Sequence, residues 1–256
     1  MSNFAAERAE RIANNATNAE LVGSARSFLR ASILPRYSYN FSWMNRPIIQ
    51  YPQEIVALQE IIWETKPELI IETGVAHGGS LIFSASMLAL LDLCEGIETG
   101  KAIQPSFSRR KVLGIDIEIR ESNRKAIDAH PMASRIQLIE GSSIAPEVIA
   151  QVKTISSGYS RVLVCLDSNH THQHVLAELN AYGSMVSKGS YCVVLDTIVE
   201  DLPKELSPGR PWGPGNSPKT AVHEFLKVNK QFVIDTDMQN KLLVTVAPDG
   251  YLKRVL

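Results

Sequence analysis

Glu72-Thr73-Gly74-Val75-Ala76-His77-Gly78-Gly79-Ser80 is the stretch that decides how the rest of the chain is read. It follows a short apolar run, Leu69 to Ile71, and leads into a strongly apolar, helix-like segment, Leu81 to Leu91. An acidic strand end, a glycine-rich bend and a helix start, in that order, build a nucleotide-type pocket at the edge of an open α/β sheet. The glycines allow a sharp turn and close approach to a ligand, and the helix start offers unpaired N–H groups. The spacing is E-x-G-x-x-x-G-G-S rather than G-x-G-x-x-G, which turns the expectation away from a dinucleotide.

Outward from this loop the chain repeats a beat of apolar strand and helix. Predicted strands are Leu69–Glu72, Val112–Asp116, Ile136–Glu140, Val162–Asp167 and Tyr191–Asp196, each closing on an acidic residue. Near-continuous apolar strands separated by helices indicate a parallel sheet covered on both faces. Two further runs, Phe232–Asp235 and Lys241–Pro248, are separated only by Thr236 to Asn240. That link is too short for a parallel crossover, so the pair is expected to be antiparallel. Five parallel strands followed by an antiparallel hairpin is the plan of a Rossmann-like class I methyltransferase: seven strands, mostly parallel, with helices on both faces.

Upstream, residues 4 to 31 read as one helix and Gln53 to Thr65 as another, with Ile55, Leu58, Ile61 and Ile62 on one face. Between them lie Pro35, Pro47 and the rings Tyr37, Tyr39, Phe41, Trp43 and Tyr51. So many rings predict an ordered cover rather than a solvated linker. The expected division is therefore a cap or interface segment over 1–50 and a ligand-binding domain over 51–256.

Bulk properties narrow the function classes. The 256 residues are 45% hydrophobic and 21% charged, with a formal net charge of −1, as in ordinary globular proteins. That balance gives no electrostatic reason for a nucleic-acid partner. Arg109-Arg110-Lys111 reads as solvated loop, and Cys94, Cys165 and Cys192 as reduced thiols. No signal-type segment and no run of 18 apolar residues is visible, so the expectation is a cytoplasmic protein without a membrane partner. A homo-oligomer, with the aromatic N-terminal segment as interface or lid, is expected as well.

Four places carry candidate chemistry. Asp116, closing the second strand, stands where an adenosine ribose is held, although it lies much further from the loop than the 20 or so positions of the dinucleotide fingerprint. The interval is filled by a loop rich in Gly, Ser and charge, Cys94 to Arg110, whose insertion explains the excess. Glu140-Gly141-Ser142-Ser143, after the third strand, suits reading of an adenine edge. Asp167-Ser168-Asn169-His170-Thr171-His172-Gln173-His174 follows the fourth, where His170 is the favoured catalytic histidine because it lies closest to the strand end. Asp167 and Asp196 close neighbouring strands, and two carboxylates beside a cofactor pocket suit Mg²⁺. Finally, the loop Arg210 to Thr220 lies over the pocket mouth, offering Trp212 for ring stacking, with Asn216 and Lys219 as further substrate-loop candidates.

These pieces together resemble the cephalosporin hydroxylase / rhamnosyl O-methyltransferase family over residues 40 to 256. The resemblance is carried by Trp63, E-T-G-V-x-x-G-G-S from Glu72, D-S-x-H from Asp167, V-V-L-D-T ending at Thr197, R-P-W-G-P-G-N-S-P from Arg210 and P-D-G-Y-L-K-R from Pro248. It implies S-adenosylmethionine as cofactor, methyl transfer to an oxygen and a divalent cation. By position, Glu72, Gly74, His77, Gly78 and Ser80 would line the methionine end. Asp116 would hold the ribose, Ser142 would sit near the adenine, and Asp167 and Asp196 would hold Mg²⁺. One departure stands out: the family can show Glu-Asp at the end of strand five, where this chain has Leu195-Asp196. Thr197 or His170 would then replace the missing ligand.

The reading is an S-adenosylmethionine-dependent O-methyltransferase acting on a hydroxyl of a sugar or glycosylated metabolite, with His170 as general base and Asp167 in the catalytic group. The rivals are an NAD-dependent oxidoreductase, a non-catalytic subunit of the same fold, and a hydroxylase using Asp167, His170 and His172 as an iron triad.

Overall fold

The computed structural model describes residues 3–102, 104 and 107–256. Two helices open the chain, α1 (Asn3–Thr17) and α2 (Ala19–Ile33). The single helix expected over 4–31 is broken at Asn18, whose side chain accepts the Leu21 N–H at 3.0 Å and starts a second helix. A short 3₁₀ turn (Tyr37–Asn40) follows, then an antiparallel hairpin of β1 (Phe41–Trp43) and β2 (Arg46–Ile48). Its two-residue link, Met44-Asn45, has positive φ at both positions, as tight hairpins with the sheet's natural twist require. Helix α3 (Pro52–Thr65) begins on a proline and stops at Lys66, which turns left-handed and donates to the Ile62 carbonyl.

The central sheet takes β3 (Leu69–Thr73), β4 (Lys111–Asp116), β5 (Ile136–Glu140), β6 (Val162–Leu166), β7 (Tyr191–Val194), β8 (Phe232–Ile234) and β9 (Tyr251–Arg254). Their spatial order is β5-β4-β3-β6-β7-β9-β8. The first five are parallel, and β9 runs antiparallel to both β7 and β8. The chain winds one way from β3 to β5 and the other way from β6 onward. The crevice at this reversal, over the carboxyl ends of β3 and β6, is where such sheets bind ligands.

Alternate strand residues feed two cores. Ile70, Val112, Leu163 and Val193 join α2, α3 and α4 (Gly79–Thr99) on one face. Leu69, Ile71, Leu113, Val164 and Cys192 join α6 (Pro146–Ser156), α7 (His172–Tyr182) and α8 (Pro218–Val228) on the other. A shorter helix, α5 (Glu121–Asp128), lies between β4 and β5. The hairpin packs onto α4: Trp43 meets Phe83 edge to face and donates its indole N–H to Ser86 at 3.0 Å. The aromatic segment is thus folded against α4 rather than solvated.

Three further expectations need correction. Lys241–Pro248 is not a strand. Asp235 accepts the Met238 N–H at 3.2 Å and caps α9 (Thr236–Leu242), so the chain coils where a tight turn was expected. Pairing resumes only at Tyr251, yet it is antiparallel, with Phe232 opposite Arg254. Arg110 is not solvated: it is buried and ion-paired with Asp92 and Glu95, and Arg135 shares Asp92. The long interval before Asp116 is largely α4, which runs to Thr99. Of the loop expected over Cys94 to Arg110, Ile103, Pro105 and Ser106 lie outside the described residues.

Candidate active site

The glycine loop is fastened from several directions. Gly74 N–H donates to the Ile115 carbonyl at 2.8 Å, and Asp116 Oδ2 accepts the Val75 and Ala76 N–H groups at 2.7 and 3.3 Å. Asn123 holds the Ala76 carbonyl, and Arg46 of the hairpin holds the His77 carbonyl. Gly74 is required where it stands: φ is +92°, and a Cβ there would lie 2.1 Å from the Asp167 carbonyl oxygen. Gly79 serves a different contact, since its Cβ would lie 2.1 Å from the Pro47 carbonyl oxygen of the hairpin. The loop is therefore pressed between the end of β6 and the aromatic cover.

Above it opens a cavity of about 690 Å³. Gly74, His77, Ser80, Asp116, Ser142 and Ser143 form one end of its wall. Asp116 uses one carboxylate oxygen on the loop, while the other accepts only a long 3.4 Å bond from Glu118 N–H, and so retains acceptor capacity for a hydroxyl. The Gly141–Ser143 turn rests on a buried polar group. Glu178 accepts from the hydroxyls of Ser143 and Ser168 at 2.6 and 2.7 Å, and His174 lies beside both.

Two residues expected to line the methionine end do not reach the wall. Glu72 is buried beneath the loop, where Ser80 donates to it, and burial pushes its carboxyl up to about 7 against that hydrogen bond. Gly78 backs onto Ile127 of α5 instead.

At the centre of the cavity Asp167, His170 and Asp196 converge, with one ligand atom from each lying within 4.8 Å of the others. His170 Nε2 is 3.3 Å from Asp196 Oδ2, and the imidazole meets Trp212 edge to face at 4.9 Å. Asp196 adopts φ of +54°, an uncommon conformation for a residue with a side chain and one concentrated at functional sites. Burial pushes the Asp167 carboxyl well above the usual carboxylate range, and the charges of Asp196, Glu72, Glu178 and Glu54 act in the same direction. Gln50 and Asp167 are linked at 3.4 Å from the opposite wall.

The three alternate histidines separate because α7 begins at His172. His170 precedes the helix and enters the cavity, whereas His172 turns to Thr220 at 2.8 Å and to Glu224 at 3.2 Å. His172 is thus no partner of Asp167 and His170 in an iron triad. Thr197 is not a ligand either: it is fully buried and donates to the Pro248 carbonyl at 2.6 Å.

The loop after β7 delivers Trp212 and Arg210 to the wall, with the guanidinium 5.1 Å over the indole. Its other two candidates face away. Asn216 accepts the His172 N–H and donates to Pro211, while Lys219 is buried against Asp201. Glu200 anchors the loop through Gly215 N–H and the Ser217 hydroxyl, and Ser217 caps α8.

Sequence reasoning missed Gln50, which lies on the wall with Ser143, Ser168 and His174 of the two segments it had singled out. For Gln50 the available signal was its position at the end of the aromatic cover.

The family model described as Rhamnosyl O-methyltransferase/CmcI matches residues 35–255. A rhamnosyl O-methyltransferase of Mycobacterium bovis is 32% identical over 200 residues, covering 77% of this chain and 71% of that protein. One of Mycobacterium leprae is 28% identical over 214 residues, covering 83% and 82%. Among solved structures, CmcI with Mg and SAM superposes with a TM-score of 0.55 at 18% identity, covering 85% of this chain and 78% of that one. That likeness supports the fold.

Proposed function

We propose, for a chain that belongs to the Rhamnosyl O-methyltransferase/CmcI family, that it is an S-adenosylmethionine-dependent O-methyltransferase. Its acceptor is a hydroxyl on a sugar or glycosylated metabolite, and Mg²⁺ assists. The observation that carries this reading is the meeting of Asp167, His170 and Asp196 in the same cavity that the glycine loop walls. The donor set fits a hard cation, with two carboxylates in reach and one imidazole beside them. Relatives named as rhamnosyl O-methyltransferases support a sugar hydroxyl as acceptor.

S-adenosylmethionine supplies the methyl group, and Mg²⁺ would lower the pKa of the acceptor hydroxyl. The chain's own task is alignment, because in-line displacement needs nucleophile, methyl and leaving group on one axis. Gly74, His77 and Ser80 would bound the methionine end, Asp116 would hold the ribose, and Ser142 with Ser143 would border the adenine. His170 takes the proton from the acceptor hydroxyl at Nδ1, the ring nitrogen not facing Asp196, while Asp196 Oδ2, 3.3 Å from Nε2, orients the ring and stabilises the imidazolium. Trp212 provides an apolar face for a sugar ring, while Leu202, Leu206 and Pro208 extend that surface towards an aglycone. Asp167 and Asp196 would hold the cation.

Calorimetric titration tests the cofactor, with S-adenosylhomocysteine expected to bind and NAD not to bind. Asp167→Ala is expected to keep S-adenosylhomocysteine affinity within a few-fold while losing transfer to rhamnosyl acceptors, a loss that EDTA reproduces in the wild type. Binding of NAD in place of S-adenosylhomocysteine would overturn the reading. Undiminished transfer in EDTA would remove the cation from it.

A further inference from the structure

Gln50 is 5% exposed, lies on the cavity wall and is held by its neighbours in the fold. Ile48 before it is in the core, and Tyr51 after it is pinned by a 2.6 Å hydrogen bond with Ser32 and by packing against Tyr37. The side chain therefore projects into the site from a fixed backbone. Its amide nitrogen is 3.4 Å from Asp167 Oδ2, and its carbonyl oxygen Oε1 is buried with no hydrogen-bond partner among the described residues. With that end unpartnered, no hydrogen bond there fixes which end of the amide faces Asp167.

Asp167 and Asp196 offer two carboxylates, and a hard cation takes further oxygen ligands. Where the family can place a glutamate, this chain has Leu195, an apolar side chain buried to 4% exposure. His170 offers nitrogen, which a magnesium-like cation takes less readily than oxygen. The two ends of an amide have nearly the same shape, so a half-turn of the terminal group brings oxygen to the place where nitrogen now faces Asp167.

We infer that Gln50 supplies the missing oxygen ligand of the divalent-cation site, replacing from the N-terminal cover the acidic ligand that Leu195 has removed from the sheet edge. The inference rests on the cation reading given above. It makes the cover part of the metal site and leaves His170 free as base. It also makes the site less negative than one completed by a glutamate, so a carboxylate at position 50 should bind the cation more tightly.

Mn²⁺ titration followed by electron paramagnetic resonance, on the full chain with S-adenosylhomocysteine present, tests this without turnover. Gln50→Leu, similar in size and without an oxygen, is expected to weaken Mn²⁺ at least tenfold, while Gln50→Glu tightens it at least threefold. Both should keep S-adenosylhomocysteine affinity within threefold of wild type. Should Gln50→Leu fail to fold, Gln50→Glu decides alone, and unchanged Mn²⁺ affinity there refutes the assignment. Wild-type Mn²⁺ affinity in folded Gln50→Leu refutes it equally, leaving the cation reading intact. A wild-type protein that binds no Mn²⁺ overturns both.

Discussion

Replacing Gly74 with alanine separates two reasons for a glycine, and the structure gives a size to each. Its φ of +92° lies in a region that alanine rarely adopts, costing about 1–2 kcal/mol. The second cost is steric. The new Cβ would lie 2.1 Å from the Asp167 carbonyl oxygen, and ordinary contact begins at 3.4 Å, so backbone and backbone must part by about 1.3 Å. Neither side yields easily, because Asp167 N–H also donates to the Thr73 carbonyl at 2.9 Å. Forced overpacking of this kind costs about 1–3 kcal/mol, for a total of roughly 2–5 kcal/mol.

Gly189 supplies the control: φ is +82°, but an added Cβ meets nothing within 4 Å. Gly189→Ala should therefore lose only the first contribution. In urea unfolding, Gly74→Ala should be less stable than Gly189→Ala by about 1–3 kcal/mol. It should also lose roughly 100-fold in methyl transfer, because a shift of this size misplaces Asp167. Equal stability of the two variants, or full transfer by Gly74→Ala, would refute the reasoning.

Two further outcomes follow from buried side chains. With its folded-state pKa at about 7, above an unfolded value of 4.5, Glu72 binds its proton more tightly in the folded chain. Its contribution is therefore fully favourable below about pH 4.5, falls as pH rises towards 7, and stays low above that, a swing on the order of 3 kcal/mol. Glu72→Gln should match the wild type near pH 4.5 and exceed it in stability at pH 8. An unchanged pH slope in chemical unfolding would contradict this. Thr197→Val should lose about 1–2 kcal/mol through the Pro248 hydrogen bond and keep wild-type Mn²⁺ affinity; weakened Mn²⁺ binding would return Thr197 to the ligand set.

The sheet was legible because buried parallel strands are continuous apolar runs, and because their acidic ends fall where the chain leaves the sheet. The last pairing was legible in direction but not in place. Leu242 to Val246 is as apolar as a strand, yet Asp235 caps a helix just before it, and Val246 N–H is satisfied by buried Glu54 at 2.7 Å. Local pattern carries no information about that distant partner. The histidines show the same limit, since only the onset of α7 at His172 determines which of them faces the cavity. Asn216 and Lys219 have the right residue types in the right loop, but their partners, His172 and Asp201, turn them inward. Gln50 was hidden for the opposite reason: 117 positions separate it from Asp167, and nothing near it in sequence marks a ligand.

A crystal structure of the protein with S-adenosylhomocysteine and Mn²⁺, using the anomalous signal of manganese, tests the central claim most directly. Adenosine is expected against Asp116 and Ser142, with one manganese peak roughly 2.1 Å from oxygens of Asp167 and Asp196. Ligand bound away from the Gly74–Ser80 loop, or manganese absent from both carboxylates, would contradict it.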